Sequence, residues 1–219
     1  MLREQGYDTY CFRKCHMSGD QMGGCGPNSH EDQGFTANWA GSGTCPSPNG
    51  GLGHGQEIDP VIRQQFVDWI GERSVGGNPW LATMSLINPH DIAEYPRCTR
   101  RIKGKSVAPS VYSGLPDTVE SEAERQARGK PLMQARAIQI ENEIFGVLPR
   151  SGSPSRLWTK MLDVYLSPQR TVDLQTGYVL SALANSPFAN NTIVVFTSDH
   201  GENGGAHGMR SKGSVSSAG

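Results

Sequence analysis

The sequence predicts an α/β layered protein on a largely parallel or mixed sheet, and three observations carry that expectation. Two short apolar runs, Trp80–Ile87 and Thr192–Thr197, lack strict alternation and are bounded by turn residues, the pattern of buried strands. Helically spaced apolar residues lie before and between them, and strand, helix and strand in this order pack as layers. Both runs end in ligand-type side chains, and in such sheets ligands sit outside the carboxyl ends of strands.

The 219 residues suffice for one domain with a core of its own. Charged residues at 19% fall below the usual globular share, while 27 Gly and 14 Pro predict long loops. A net charge of −1 gives no electrostatic case for nucleic acid or an acidic membrane. No run approaches the roughly 18 apolar residues of a membrane span, and the opening Met1-Leu2-Arg3-Glu4 is not that of a signal peptide. These features leave the compartment open. Five cysteines (Cys11, Cys15, Cys25, Cys45 and Cys98) are odd in number and irregular in spacing, unlike a disulfide framework. Cys11, Cys15, His16, Cys25 and His30 admit a zinc reading, but no pair has C-x2-C spacing.

Residues 1–16 are expected to be ordered, and 17–57, rich in Gly, Ser, Asn and Pro, to form a surface excursion. Asp59-Pro60 reads as a helix start, Asp as cap and Pro in the first turn. Ile62, Phe66, Trp69 and Ile70 then share one helical face until Gly76-Gly77-Asn78-Pro79. Trp80–Ile87 is a buried strand running into Asn88-Pro89-His90-Asp91. Residues 97–155 read as polar and loop-rich, with a charged, solvated helix or loop at Glu120–Lys130. Leu157, Trp158, Met161, Leu162 and Tyr165, then Val172, Val179 and Leu183, have helical spacing, and Pro168 between them should kink or split that helix. Thr192–Thr197 is the clearest strand, β-branched and aromatic, and 214–219 is a frayed tail.

Asp199 and His200 leave this strand together, and a carboxylate beside an imidazole suits a divalent cation. Gly201, Gly204, Gly205 and Gly208 allow close approach to a small ligand, with His207 a proton donor and Lys212 a fixed charge. A strand capped by an Asx turn and a glycine loop is the plainer alternative. His90, fixed by Asn-Pro, suits anion binding or protonation of a leaving group, or is a surface residue; Asp91 orients it or is solvated. In an extended segment Lys14 and His16 would share one face, one to bind an anion and the other to exchange a proton; chance spacing is the plainer alternative.

Together these pieces resemble the sulfatase family of the alkaline-phosphatase-like superfamily. T-I-V-V-F-T-S-D-H-G-E, followed by A-H-G and a Lys, is similar to its late metal-binding motif. N-P-W-L-A-T-M-S-L-I-N-P-H-D resembles its strand ending in a sulfate-contacting His. G-Y-D-T-Y-C-F-R-K-C-H resembles G-Y-x-T-x-x-x-G-K-W-H, and the order of the pieces agrees across most of residues 6–213. The resemblance implies an alkaline-phosphatase-like mixed, largely parallel sheet flanked by helices, with 1–213 an incomplete catalytic domain. It implies a divalent cation, Ca2+, at Asp199 and His200, and Lys14 and Lys212 at the sulfate or nucleophile. His90 would bind sulfate and assist departure of the alcohol, and His16 would help turn over the covalent intermediate. The implied substrate is a small-molecule or carbohydrate sulfate ester.

The departures are specific. The family's formylglycine comes from the Cys of C-x-P-S-R upstream of the Lys-His pair, and that motif is absent here. Thr44-Cys45-Pro46-Ser47-Pro48 lacks the frame and lies on the wrong side. The early Asp-Asp ligands are missing too, and Arg13 and Cys15 replace the usual Gly and Trp. The expectation is therefore a sulfatase fragment or degenerate copy, inactive as this isolated chain. A phosphodiesterase or phosphonate monoester hydrolase of the same superfamily is the alternative enzyme, and a metal-binding remnant the non-enzymatic one.

Overall fold

The computed structural model describes residues 2–13, 34–35, 37–38, 55–96, 112, 114–115, 117–148 and 154–212. Its strands are β1 (Asp8–Arg13), β2 (Ala37–Asn38) and β3 (Trp80–Ser85). Its helices are α1 (Gly55–Glu72), α2 (Glu122–Ala127), α3 (Leu132–Phe145) and α4 (Pro154–Ala184). The chain divides into two compact units, Met1–His90 with Gln169–Val194 and Asp91–Pro168 with Val195–Gly219.

In the first unit β1 is the central strand, parallel to both neighbours, with Tyr10 opposite Ala37 of β2 and Ala82 of β3. The α/β expectation with a parallel sheet is met, although the sheet of the described residues is all-parallel rather than mixed. α1 packs on it through Ile62, Phe66, Trp69 and Ile70, the face read from the sequence. Phe12 of β1 is fully buried between Phe66 and Trp69, with ring centroids 5.6 and 5.4 Å away. Trp69 also meets Trp80 edge-on at 5.1 Å, and Trp80 meets Phe188 at 5.9 Å. Edge-to-face pairs of this kind each add about 1 kcal/mol beyond their buried area. Val179, Ala182 and Leu183 of α4 join the same core.

Three sequence expectations change here. β3 alternates instead of being buried throughout: Trp80, Ala82 and Met84 pack on the core while Leu81, Thr83 and Ser85 face outward. A strand covered on one face keeps the period of two. α1 begins at Gly55, so Asp59 lies inside the helix and not at its start; fully buried, its carboxylate accepts from Ile87 N at 2.6 Å and Asn88 N at 3.1 Å. Among the described residues Thr192–Thr197 joins no strand, and Ile193, Val195 and Phe196 are 92, 79 and 75% exposed. β propensity supplies an extended backbone, as at Thr192 (φ −129°, ψ 129°), but a strand also needs a ladder of partners.

The second unit packs Ile92, Tyr95, Met161 and Val164 with Leu148, Trp158 and Tyr165. α4 is not split at Pro168, which is fully buried. Burial of its ring and of the two preceding turns (Met161, Leu162, Val164) offsets the lost hydrogen bond. The stretch expected to be loop-rich holds α2 and α3. α2 starts in a reciprocal cap: Glu124 N donates to Ser121 Oγ (3.2 Å), and Ser121 N donates to Glu124 Oε2 (2.7 Å).

Candidate active site

His90 opens a 3-10 turn beyond the carboxyl end of β3, and its N–H donates to Ile87 O at 3.1 Å. The turn is fixed from below by the Asp59 carboxylate, which ties down two consecutive backbone N–H groups just before it. The Asn88 side chain is buried against Gly55, where a Cβ would lie 2.5 Å from Asn88 Nδ2, so only glycine fits. Asp91 is 1% exposed and so is not solvated.

Asp199 and His200 lie in the extended loop that follows residue 197. His200 N donates to Asp199 Oδ1 (3.0 Å), and the imidazole Nδ1 lies 2.9 Å from Gly201 O. A carbonyl only accepts, so Nδ1 holds the proton there. This leaves Nε2 facing Asp199 Oδ2 at 3.4 Å, two acceptor atoms that need a cation between them. A proton or a metal ion meets that need, and in this respect the pair fits as part of a ligand set. Calcium takes about six to eight oxygen ligands, and among the described residues no group of three or more His, Cys, Asp or Glu side chains converges to hold a metal.

The loop between this pair and Lys212 is tied back on itself. Glu202 Oε1 accepts from Gly204 N (3.2 Å) and Ser211 N (2.5 Å), and Asn203 N and Nδ2 both donate to Ser211 O. Burial pushes the Glu202 carboxyl above its ordinary range, against those two N–H bonds and the charges of Arg210 and His200. Lys212 follows directly and is exposed, with no hydrogen bond or ion pair among the described residues.

Arg210 anchors the loop to α3. It is 4% exposed, and its guanidinium donates to the carbonyls of Tyr95 (3.3 Å), Glu141 (3.2 Å) and Gly146, and to Asn142 Oδ1 (3.4 Å). A cation at the free carbonyls of a helix C-terminus also meets the negative end of its dipole. Arg210 N donates to Glu141 Oε2 (3.2 Å), while Glu141 Oε1 is buried without a partner. Burial pushes the Glu141 carboxyl up to about 6, outweighing the bond and charge of Arg210.

His207 sits at the tip of the same loop, its Nδ1 3.2 Å from Glu120 Oε2. Lys14 and His16 lie outside the described residues, as do Cys15, Cys25, His30, Cys45, Cys98 and the 214–219 tail. Cys11 is buried in β1. Asp199 and His200 are brought together, Lys212 is joined to them through the Glu202 clamp, and His90 belongs to the first unit. Sequence reasoning gave Asp59 only a capping role and assigned none to Glu120, Glu141, Glu202 and Arg210. One signal was present: Ala137, Glu141 and Phe145 form an i, i+4, i+8 stripe, with a carboxylate in the middle of a helix's inner face.

Comparison with known proteins places these observations. The sulfatase family model matches residues 1–218. The chain is 25% identical over 171 residues to iduronate 2-sulfatase of Mus musculus, covering 77% of this chain and 30% of that protein. It is 26% identical over 188 residues to the Homo sapiens iduronate 2-sulfatase, covering 77% of this chain and 32% of that protein. Over 55 residues it is 47% identical to a sulfatase of Formosa agariphila, a quarter of this chain and 11% of that protein. The chain thus spans about a third or less of the length of these relatives. The motif order, the parallel sheet and the match across nearly all its residues agree, and the chain belongs to the sulfatase family.

Proposed function

We propose that this chain is part of a sulfuric ester hydrolase and supplies its cation-binding and sulfate-binding side chains. The supporting observation is the loop from Asp199 to Lys212, a carboxylate–imidazole pair and an exposed ammonium joined by the Glu202 clamp. Asp199 and His200 are its share of the ligands to a divalent cation, which would add positive charge beside the transferring sulfuryl group. Lys212 and Lys14 neutralise the sulfate oxygens as negative charge develops on the leaving side. His90, on the turn fixed by Asp59, binds sulfate and protonates the departing alcohol; His16 moves a proton in turnover. Two of the matched relatives are named for a sulfated uronic sugar, which favours a carbohydrate ester.

The family's nucleophile has no counterpart in these 219 residues, so no step is assigned to it. The test measures hydrolysis of an aryl sulfate and an aryl phosphate by the isolated chain and by the chain joined to a segment bearing C-x-P-S-R converted to formylglycine. The expected result is no release from the isolated chain and sulfate-selective release from the joined one. In the joined protein His90→Ala should lower turnover by about 10²-fold or more. Robust turnover by the isolated chain, or preference for the phosphate ester, would overturn this reading.

A further inference from the structure

The turn Ala206-His207-Gly208 holds one imidazole in a fixed pose, and no proposed step of ester hydrolysis uses it. His207 has φ 56°, the left-handed region that residues with a Cβ rarely adopt. Two hydrogen bonds hold it there: its N–H donates to Thr118 O (2.7 Å), and Gln134 Nε2 donates to its carbonyl (2.8 Å). Ala206 pairs with Val119 in an isolated antiparallel bridge. At Gly208, φ 74°, a Cβ would stand 3.0 Å from Glu120 O, so glycine lets the turn close on the segment that carries Glu120. Left-handed backbone costing about 1–3 kcal/mol persists only where surrounding contacts enforce it, often at functional positions.

The ring rests on a carboxylate that is itself secured. The Glu120 side chain is 3% exposed; Oε1 accepts from Arg128 Nη1 (2.5 Å) with Lys130 Nζ at 3.8 Å, and Arg125 Nη1 donates to its carbonyl (2.9 Å). Burial pushes the Glu120 carboxyl up, but the His207 hydrogen bond, Lys130 and Arg128 outweigh it and leave it below its ordinary range. An ionised carboxylate only accepts, so the proton between Oε2 and the ring belongs to Nδ1. In the neutral ring the lone pair is then on Nε2, and the side chain is 46% exposed. An unrestrained histidine favours the opposite tautomer.

We infer that Glu120 and His207 form a proton-accepting site, with His207 Nε2 presented to the hydroxyl of an alcohol or a water molecule. The O–H bond of that ligand breaks as an N–H bond forms at Nε2. The resulting imidazolium is stabilised by the Glu120 carboxylate, which takes no proton itself. The ligand keeps the electron pair of its O–H bond and becomes the stronger nucleophile. The site stands on the contacts of residues 118–134 with 206–208 and does not depend on the sulfate-ester reading.

Two measurements on the 219-residue chain test it. Long-range proton–nitrogen NMR of the neutral imidazoles should show His207 as the Nδ1–H tautomer; an Nε2–H pattern overturns the inference, and this needs no variant. Diethyl pyrocarbonate acylates an imidazole lone pair, releasing ethanol and carbon dioxide, and peptide mass spectrometry locates the product. His207 should react faster than His200, and Glu120→Gln should slow it by about tenfold, the difference between a charge-assisted and a neutral hydrogen bond. A rate at His207 unchanged in Glu120→Gln counts against the site. Should that variant fail to fold, the wild-type tautomer decides.

Discussion

The two units are held together by different physics. The first rests on aromatic packing, with Phe12, Phe66, Trp69, Trp80 and Phe188 in contact around one face of a parallel sheet. The second has a smaller apolar cluster and ties its loops with buried polar groups: Arg210 on the α3 carbonyls, Glu202 on the loop amides and Glu120 under His207. Apolar packing tolerates small geometric change and is non-directional. A buried charge network fixes positions closely but fails sharply when one member is removed. The directional network holds the loop that carries Asp199, His200 and Lys212, while His90 stands on a turn of the apolar unit.

Removing the central aromatic should have the largest effect. Trp69→Ala is expected to cost about 3–5 kcal/mol, read as a lowered denaturant midpoint in probes of the first unit. An effect below 1 kcal/mol would show that the aromatic cluster is not the core of that unit.

Next comes Arg210→Met, which leaves several buried carbonyl oxygens without a donor. A loss of about 3 kcal/mol is expected, together with faster amide exchange at Gly204 and Ser211. Exchange unchanged in that loop would separate Arg210 from the positioning of Lys212.

The effect of Glu141 is smaller and depends on pH. Its carboxyl titrates at 4.5 ordinarily and at about 6 in the folded chain, so the folded state holds the proton more tightly. That stabilisation is full below 4.5 and is lost as pH rises through 6, a change of about 2 kcal/mol. Glu141→Gln should remove this slope from the stability–pH curve of the second unit; an identical slope in both proteins would refute the assignment.

Almost no effect is expected in Thr192–Thr197. Ile193→Thr and Phe196→Thr should change stability by no more than about 0.5 kcal/mol, because these side chains are 92 and 75% exposed. A loss of 2 kcal/mol at either position would mean the segment is packed in solution as the sequence pattern suggests.

Much of this molecule was legible from side-chain pattern. The buried face of α1, the position of β3, both halves of α4 and the His90 turn follow from periodicity and turn residues, which act over a few neighbours. The contacts of Asp59 with residues 87 and 88, and of Arg210 with α3, span 28 or more positions of chain and leave no local pattern. Glu141 was the exception, a carboxylate on an apolar stripe, but α3 itself went unrecognised among polar residues.

By itself the sequence determined the family and the α/β class, because motif order and hydrophobic period are written along the chain, and it nominated Lys14, His16, His90, Asp199, His200 and Lys212 as candidates. Only tertiary structure decided that Asp59 anchors a turn instead of capping a helix, that Thr192–Thr197 pairs with no strand among the described residues, and that Glu120 lies against the His207 ring. The reason is physical: β pairing, burial and hydrogen bonding between distant groups depend on which surfaces meet, and no single residue's propensity contains that information.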